Sequence, residues 1–232
     1  VYKPEKNNDH EKKVLSNFGL TSNRYLLVVS RLIRHKGVHY LIEAFKTLKD
    51  RAEKNSKIQD LKLVIVGSTA FTENYQEFLL KLTHGRQDIV FTGIQTGANL
   101  DAIFRNSFLY IQPSESEGLS IAVLEAMAYG KAVLVSNIEE NLELISGTAE
   151  TGSVGFDFQN KNSFDLADKL KILTEHPAVI RQIGLKAKNY VKLYYNWEEI
   201  TARTEKIYKN VVLIKDKVKK LGPAFSLMSE RA

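Results

Sequence analysis

The chain has 232 residues, a formal net charge of +6 and no cysteine, which excludes disulfides, thiolate metal sites and cysteine nucleophiles. A hydrophobic fraction of 44% and a charged fraction of 26% are those of an ordinary globular protein, and no apolar run reaches the length that crosses a bilayer. The lack of thiols fits a reducing cytoplasm, and the basic balance fits an anionic partner; the lysines are scattered and no nucleic-acid-binding signature appears, so nucleic acid is not expected.

Val1–Leu20 is polar and reads as a linker or domain edge with one short helix at Lys12–Phe18. Short β-branched runs then alternate with longer periodic ones. YLLVVS (Tyr25–Ser30) predicts a strand, and the spacing of Leu41, Ile42, Ala44, Phe45 and Leu48 predicts a helix over about Gly37–Lys54. LKLVIV (Leu61–Val66) is the next strand, followed by a helix over Glu73–Thr83. DIVFT (Asp88–Thr92) and SFLYIQ (Ser107–Gln112) are strands flanking a short helix near Ala98–Phe104. A helix at Leu119–Tyr129, a strand at Lys131–Ser136 and a helix at Glu139–Ile145 complete the alternation.

The runs LLVV, LVIV and AVLV are apolar without alternation, as strands buried on both faces should be. Strand–helix alternation at this spacing implies βαβ units, and therefore an α/β fold with a Rossmann-like, doubly wound parallel sheet. After an apolar stretch at Ser153–Phe158 the pattern turns helical over Asp165–Leu173, Ala178–Leu193 and Trp197–Leu221. The last of these carries Lys215, Lys217, Lys219 and Lys220 near its end, and residues 222–232 read as a tail. The organisation expected is a segment 1–20, a domain 21–196, a long helix 197–221 and that tail.

Ligands of open parallel sheets bind beyond the carboxyl ends of the strands, at a topological switch point, so the residues after each strand are the candidates. In PSESEGLSIAVLEAMAYG (Pro113–Gly130), Glu117 falls in the strand-to-helix loop and Glu125 about two turns into the helix. Gly118 lets backbone approach a ligand, and the amides of Gly118, Leu119 and Ser120 would face it at a helix N-terminus, which favours phosphate. Carboxylates beside such a place would accept from sugar or ribose hydroxyls. The alternatives are a buried ion pair for Glu125 and a solvated helix cap for Glu117.

In SRLIRHKG (Ser30–Gly37), Arg31 and Lys36 could reach a diphosphate; the alternative is an exposed basic turn of Arg34, His35 and Lys36. VGSTAFTENY (Val66–Tyr75) offers Gly67 at a strand end, without a G-x-G-x-x-G fingerprint. FTGIQT (Phe91–Thr96), with Gly93 after the third strand, offers backbone for a base ring to stack near, or a plain turn. No Walker loop, HExxH or Asp-x-Asp pair is present and the histidines are dispersed, so neither a metal nor another cofactor is expected; His39 and His84 read as structural or surface residues.

Together these segments resemble the C-terminal, donor-binding domain of the large family 4 glycosyltransferases, retaining enzymes whose GT-B architecture sets two Rossmann-like domains face to face. The resemblance runs through about Tyr25–Trp197. It is carried by Ser30-Arg31 with Lys36-Gly37, by Pro113-Ser114 with Glu117-Gly118 and Glu125-Ala126, by VLVSNIEENLELI with Gly155-Phe156, and by Tyr195-Asn196-Trp197. What it implies is transfer of a sugar, hexosyltransferase-like, from a UDP-, GDP- or ADP-sugar. Arg31 and Lys36 would hold the diphosphate and act with Glu117 in catalysis, with no metal. Gly118, Leu119 and Ser120 would assist at the distal phosphate. Glu117 would bind donor-sugar hydroxyls and Glu125 the ribose, with Gly67 and Ile94 completing the donor site.

The chain departs from the family pattern at Ser120, where a glycine is usual, and at Lys131-Ala132, where a proline is usual. The resemblance also implies an N-terminal domain outside these 232 residues that binds a lipid-linked or saccharide acceptor. Transfer by this chain alone is therefore expected to be weak or absent. The rival expectations are a non-catalytic sugar-nucleotide-binding subunit, a relative such as a nucleotide-sugar epimerase or glycosyl phosphorylase, and peripheral attachment at the inner membrane face through the basic amphipathic helix at Trp197–Leu221.

Overall fold

A computed structural model describes residues 8–54, 56–68 and 73–220. They fall into two units, one ending at Leu193 and one beginning at Tyr194. The first holds a six-stranded sheet: β1 (Tyr25–Val29), β2 (Lys62–Val66), β3 (Ile89–Gly93), β4 (Leu109–Gln112), β5 (Val133–Ser136) and β6 (Phe156–Phe158). All pairings are parallel and the order is β3–β2–β1–β4–β5–β6, with Leu27 of β1 set between Val64 and Tyr110. This is the expected Rossmann-like architecture.

The helices are α1 (Asn8–Asn17), α2 (Val38–Arg51), α3 (Glu73–Thr83), α4 (Gly97–Asn106), α5 (Ile121–Ala128), α6 (Glu139–Ile145), α7 (Ser163–Glu175) and α8 (Pro177–Tyr194). The central strands are the unalternated runs of the sequence: Leu26, Leu27, Val28, Leu63, Val64, Ile65, Leu109, Ile111, Leu134 and Val135 are buried. Their neighbours in the core include Leu41, Ile42, Phe45 and Leu48 of α2 and Leu166 and Leu170 of α7. Each such side chain contributes roughly 1.5–3 kcal/mol by leaving water. Asn162 starts α7 by accepting from the amides of Phe164 and Asp165 at 3.1 and 3.0 Å.

Three segments differ from expectation. The first helix begins at Asn8 rather than Lys12 and packs on α4, where Glu11 pairs with the Arg105 guanidinium at 2.9 Å and accepts from Asn106 Nδ2 at 3.0 Å. The short helix expected in this linker or domain-edge segment is thus present, four residues longer at its start, and is secured by residues about ninety positions away. The stretch Ser153–Phe158 ends in the edge strand β6, too short at three residues to show a period. α5 starts at Ile121, two residues later than the pattern suggests, because Gly118–Ser120 run as loop.

The second unit is α9 (Trp197–Lys220), which carries Trp197, Ile200, Ile207, Tyr208 and Val211 at helical spacing. Leu221 and the tail 222–232 lie outside the described residues. No helix among the described residues is long and apolar enough to cross a membrane.

The strand order fixes where a ligand can enter. From β1 the sheet grows one way, through β2 to β3, and the chain then crosses to β4 on the other side of β1. The loops after β1 and β4 therefore leave the sheet in opposite directions and open a crevice between them.

Candidate functional site

The loops after β1 and β4 are tied together before any side chain is considered. The amide of Glu115 donates to His35 O at 2.7 Å. Gly37 has φ +67°, and a Cβ placed there would lie 1.8 Å from Pro113 O. Only glycine permits both the left-handed backbone and that approach. Between Val29 and Gly37 the chain makes one 3-10 turn, Arg34–Lys36, which swings Lys36 towards the β4 loop while leaving Arg34 and His35 exposed.

Lys36 Nζ donates to both oxygens of Glu117 at 2.7 Å, across 81 positions of sequence. The Glu117 side chain is only 6% exposed and that of Lys36 15%. Glu117 Oε1 also accepts from Gln112 Nε2 and Ser114 Oγ, both at 2.6 Å. The reading of Glu117 as a solvated helix cap is thereby corrected: it is a buried, paired carboxylate. The basic turn is half as proposed, with Arg34 and His35 in solvent and Lys36 committed to a partner.

Behind this pair, Ser136 at the end of β5 donates to Ser114 O at 2.5 Å, and Asn141 donates to Ser136 Oγ at 3.0 Å. On its outer side Glu115 accepts from Tyr40 and Lys161 at 3.1 and 2.9 Å. Burial works to raise Glu115, but Lys161 and Tyr40 outweigh it and hold the carboxyl below its usual range. Four strand-end loops are thus fastened around one crevice.

Three sets of groups in the loops after β1 and β4 and in α5 have no protein partner among the described residues. Arg31 is exposed and makes no ion pair. The amides of Gly118, Leu119 and Ser120 donate to no protein acceptor at the start of α5. A Cβ on Gly118 would meet nothing within 4 Å. Glu125 is half-buried with neither a cation nor a hydrogen-bond donor on it, so its alternative reading as a buried ion pair is also corrected.

Burial, and then the neighbouring Asp101 carboxylate, push Glu125 above the usual carboxylate range. The native fold consequently binds the Glu125 proton more tightly than the unfolded chain does. Ionised Glu125 therefore costs stability once the pH exceeds the raised value, and the cost fades as pH falls to the ordinary range and below it. Glu125→Gln is accordingly expected to be more stable than wild type in urea at pH 7, by a margin that shrinks as the pH is lowered towards 4. A margin independent of pH would contradict this. A residue that lowers the stability of its own fold points to a task other than folding.

The remaining candidates stand apart from that cluster. Gly67 follows β2 with φ +135°, and a Cβ there would lie 1.9 Å from the carbonyl oxygen of Ser30, the residue after β1, which is reason enough for glycine. Ile94 lies one residue beyond β3 and is 68% exposed. Residues 69–72, between β2 and α3 in sequence, lie outside the described residues. His39 is buried and bonded to the Tyr75 hydroxyl at 2.8 Å, a structural role. Among the described residues no group of three or more histidines and carboxylates could hold a metal ion.

A groove of about 410 Å³ opens at the opposite, amino-terminal edge of the sheet, between Arg24, Leu61, Phe108, Lys131 and Arg181. Of the candidate site residues Arg31, Lys36, Glu117, Gly118, Leu119, Ser120 and Glu125, none lines it. Its most buried cation, Lys131, is pulled down to about 8 by burial and already donates to Ser107 O at 2.8 Å. Arg31, Glu117 and the amides of Gly118–Ser120 lie instead in the loops after β1 and β4, at the other edge.

Sequence reasoning missed Gln112 and Tyr110. The one available signal was a glutamine closing an otherwise apolar strand, LYIQ, and it does not say which face the side chain takes.

Residues 11–192 match the family of glycosyl transferases group 1. Over 212 residues, 88% of this chain and 50% of the relative, the sequence is 29% identical to the N,N'-diacetylbacillosaminyl-diphospho-undecaprenol alpha-1,3-N-acetylgalactosaminyltransferase of Campylobacter jejuni. The fold resembles a glycosyltransferase from Rickettsia africae (TM-score 0.77, 21% identity, 90% of this chain and 53% of that one). It also resembles Anabaena HepE in complex with UDP-glucose (TM-score 0.75, 19% identity, 88% and 54%). The chain spans about half the length of the curated relatives it matches.

Proposed function

The chain belongs to the family of glycosyl transferases group 1, and on that premise we propose that the crevice between the β1 and β4 loops binds the nucleoside diphosphate sugar of a retaining, metal-independent transfer. The observation that carries this reading is one juxtaposition. Unsatisfied positive groups (Arg31 and the amides of Gly118–Ser120) share a crevice with carboxylates that can only accept (Glu117 and Glu125). A sugar nucleotide has the matching halves, a diphosphate and two sets of hydroxyls.

In the reaction, the bond between the anomeric carbon and the diphosphate oxygen breaks, and the acceptor hydroxyl bonds to that carbon and gives up its proton, which the departing diphosphate can take. The departing diphosphate gains negative charge, and fixed donors stabilise it most at that moment. Arg31 supplies a planar fork. Lys36 has a third N–H left after its two bonds to Glu117, and the α5 amides cover the distal phosphate. Glu117 orients the sugar and Glu125 the ribose.

UDP is the nucleotide in the Anabaena complex, which favours a UDP-sugar over GDP- or ADP-sugars here. The name of the Campylobacter relative contains an undecaprenol diphosphate-linked sugar; a lipid-linked acceptor at the cytoplasmic membrane face, held by a second domain, is the corresponding proposal.

Arg31→Ala and Glu125→Ala are each expected to weaken binding of UDP-glucose, titrated calorimetrically in EDTA, by roughly tenfold, the worth of a hydrogen bond to a charged group. Thermal melts should show both variants folded. Unchanged affinity in both would remove the site assignment, and binding that required added metal would remove metal independence.

A further inference from the structure

We propose that Gln112, backed by the Tyr110 hydroxyl, is the positioning residue that fixes the Glu117 carboxylate and leaves one oxygen, Oε2, to meet the donor sugar. The inference rests on the donor-site reading above and deepens it. Gln112 is 2% exposed and Tyr110 fully buried, both in β4 beneath the crevice. The Tyr110 hydroxyl donates to Gln112 Oε1 at 2.6 Å, and the Gln112 amide nitrogen donates to Ser114 Oγ at 2.7 Å and Glu117 Oε1 at 2.6 Å.

The direction of this chain follows from its end. A carboxylate only accepts, so the Gln112 nitrogen must face Glu117 and its oxygen must face the tyrosine. Burial pushes the Tyr110 phenol upward, so it remains a donor. Each proton therefore points towards Glu117, and bonds arranged head to tail strengthen one another.

The two carboxylate oxygens end up unequal. Oε1 receives Gln112, Ser114 and Lys36, which more than fills its two lone pairs, whereas Oε2 receives Lys36 alone. Only Oε2 has room for a sugar hydroxyl. Because the relay touches Glu117 and no diphosphate-binding group, its loss should affect recognition of the sugar and spare that of the nucleotide.

The test uses the 232-residue chain, wild type and Gln112→Met, by crystallography without ligand and by calorimetry with UDP and UDP-glucose. In the variant, the carboxylate is expected to leave its place beside Ser114 Oγ. UDP affinity should stay within about twofold, and the preference for UDP-glucose over UDP should fall roughly tenfold. Tyr110→Phe, which removes one hydroxyl, should shift the preference in the same direction by roughly threefold, and it carries the test if Gln112→Met does not fold. A carboxylate unmoved in the variant overturns the proposal, as does an equal loss of UDP and UDP-glucose. Wild-type protein that binds neither nucleotide would remove the donor-site reading, while the position of Glu117 in the variant crystal would still decide the relay.

Discussion

Replacing Lys36 with methionine is expected to lower the unfolding free energy by about 3 kcal/mol, the cost of leaving a buried carboxylate without its cation. Glu117 is 6% exposed and keeps only neutral donors, Gln112 and Ser114, once the ammonium is gone. The double variant Lys36→Met/Glu117→Gln removes the stranded charge and should recover most of the loss, since a buried pair replaced as a whole is often close to neutral. Urea denaturation of the two single variants and the double variant reads the coupling directly. Additive losses would mean that the ion pair matters less than the surrounding packing. Donor affinity, by contrast, should fall in all three, because Lys36 and Glu117 are both proposed to touch the ligand. Stability and binding would then part company in the double variant, which separates a structural salt bridge from a functional one.

Gly37→Ala is expected to be equally damaging for a different reason. The φ of +67° costs an alanine roughly 1–2 kcal/mol, and forcing its Cβ against Pro113 O adds about 1–3 kcal/mol of overpacking. That carbonyl belongs to backbone hydrogen-bonded in place and cannot swing aside as a side chain would. A loss of about 3–4 kcal/mol in urea is therefore expected, with donor binding lost as the β1 and β4 loops are pushed apart. Gly118→Ala is the informative contrast. Its Cβ would meet nothing within 4 Å, so stability should hold while donor binding weakens, because the new methyl enters the space proposed for the phosphate. Equal stability of the two variants would contradict the close approach at Gly37.

How far the sequence reached depends on the range of the interaction concerned. LLVV, LVIV and AVLV are legible as doubly buried strands because their hydrophobicity is a local property, and their alternation with helices dictates the parallel sheet. β6 was missed because three residues between a turn and a loop carry no period. The true start of α1 was missed because it depends on Glu11 meeting Arg105 and Asn106 on α4. At the site, the switch-point rule and the motifs single out Arg31, Lys36, Glu117 and Glu125; the first three lie in the loops after β1 and β4, and Glu125 lies in α5.

What pairs with what was not legible. Glu117 was open between a cap and a ligand group, and Glu125 between an ion pair and a ligand group. Only the three-dimensional arrangement gives the first a lysine from 81 positions away and the second no cation among the described residues. Gly67 shows the reverse: a residue read as part of the donor site has a sufficient steric explanation in the neighbouring strand.

The central claim is that the crevice at the β1–β4 switch point holds a nucleoside diphosphate sugar. The most direct measurement is a crystal structure of this chain soaked with UDP-glucose in EDTA. The diphosphate is expected against the amides of Gly118–Ser120 and the Arg31 guanidinium, with ribose hydroxyls on Glu125 and a sugar hydroxyl on Glu117 Oε2. A ligand seated instead in the groove beside Arg24 and Lys131, or a crevice left empty at saturating concentration, would contradict it.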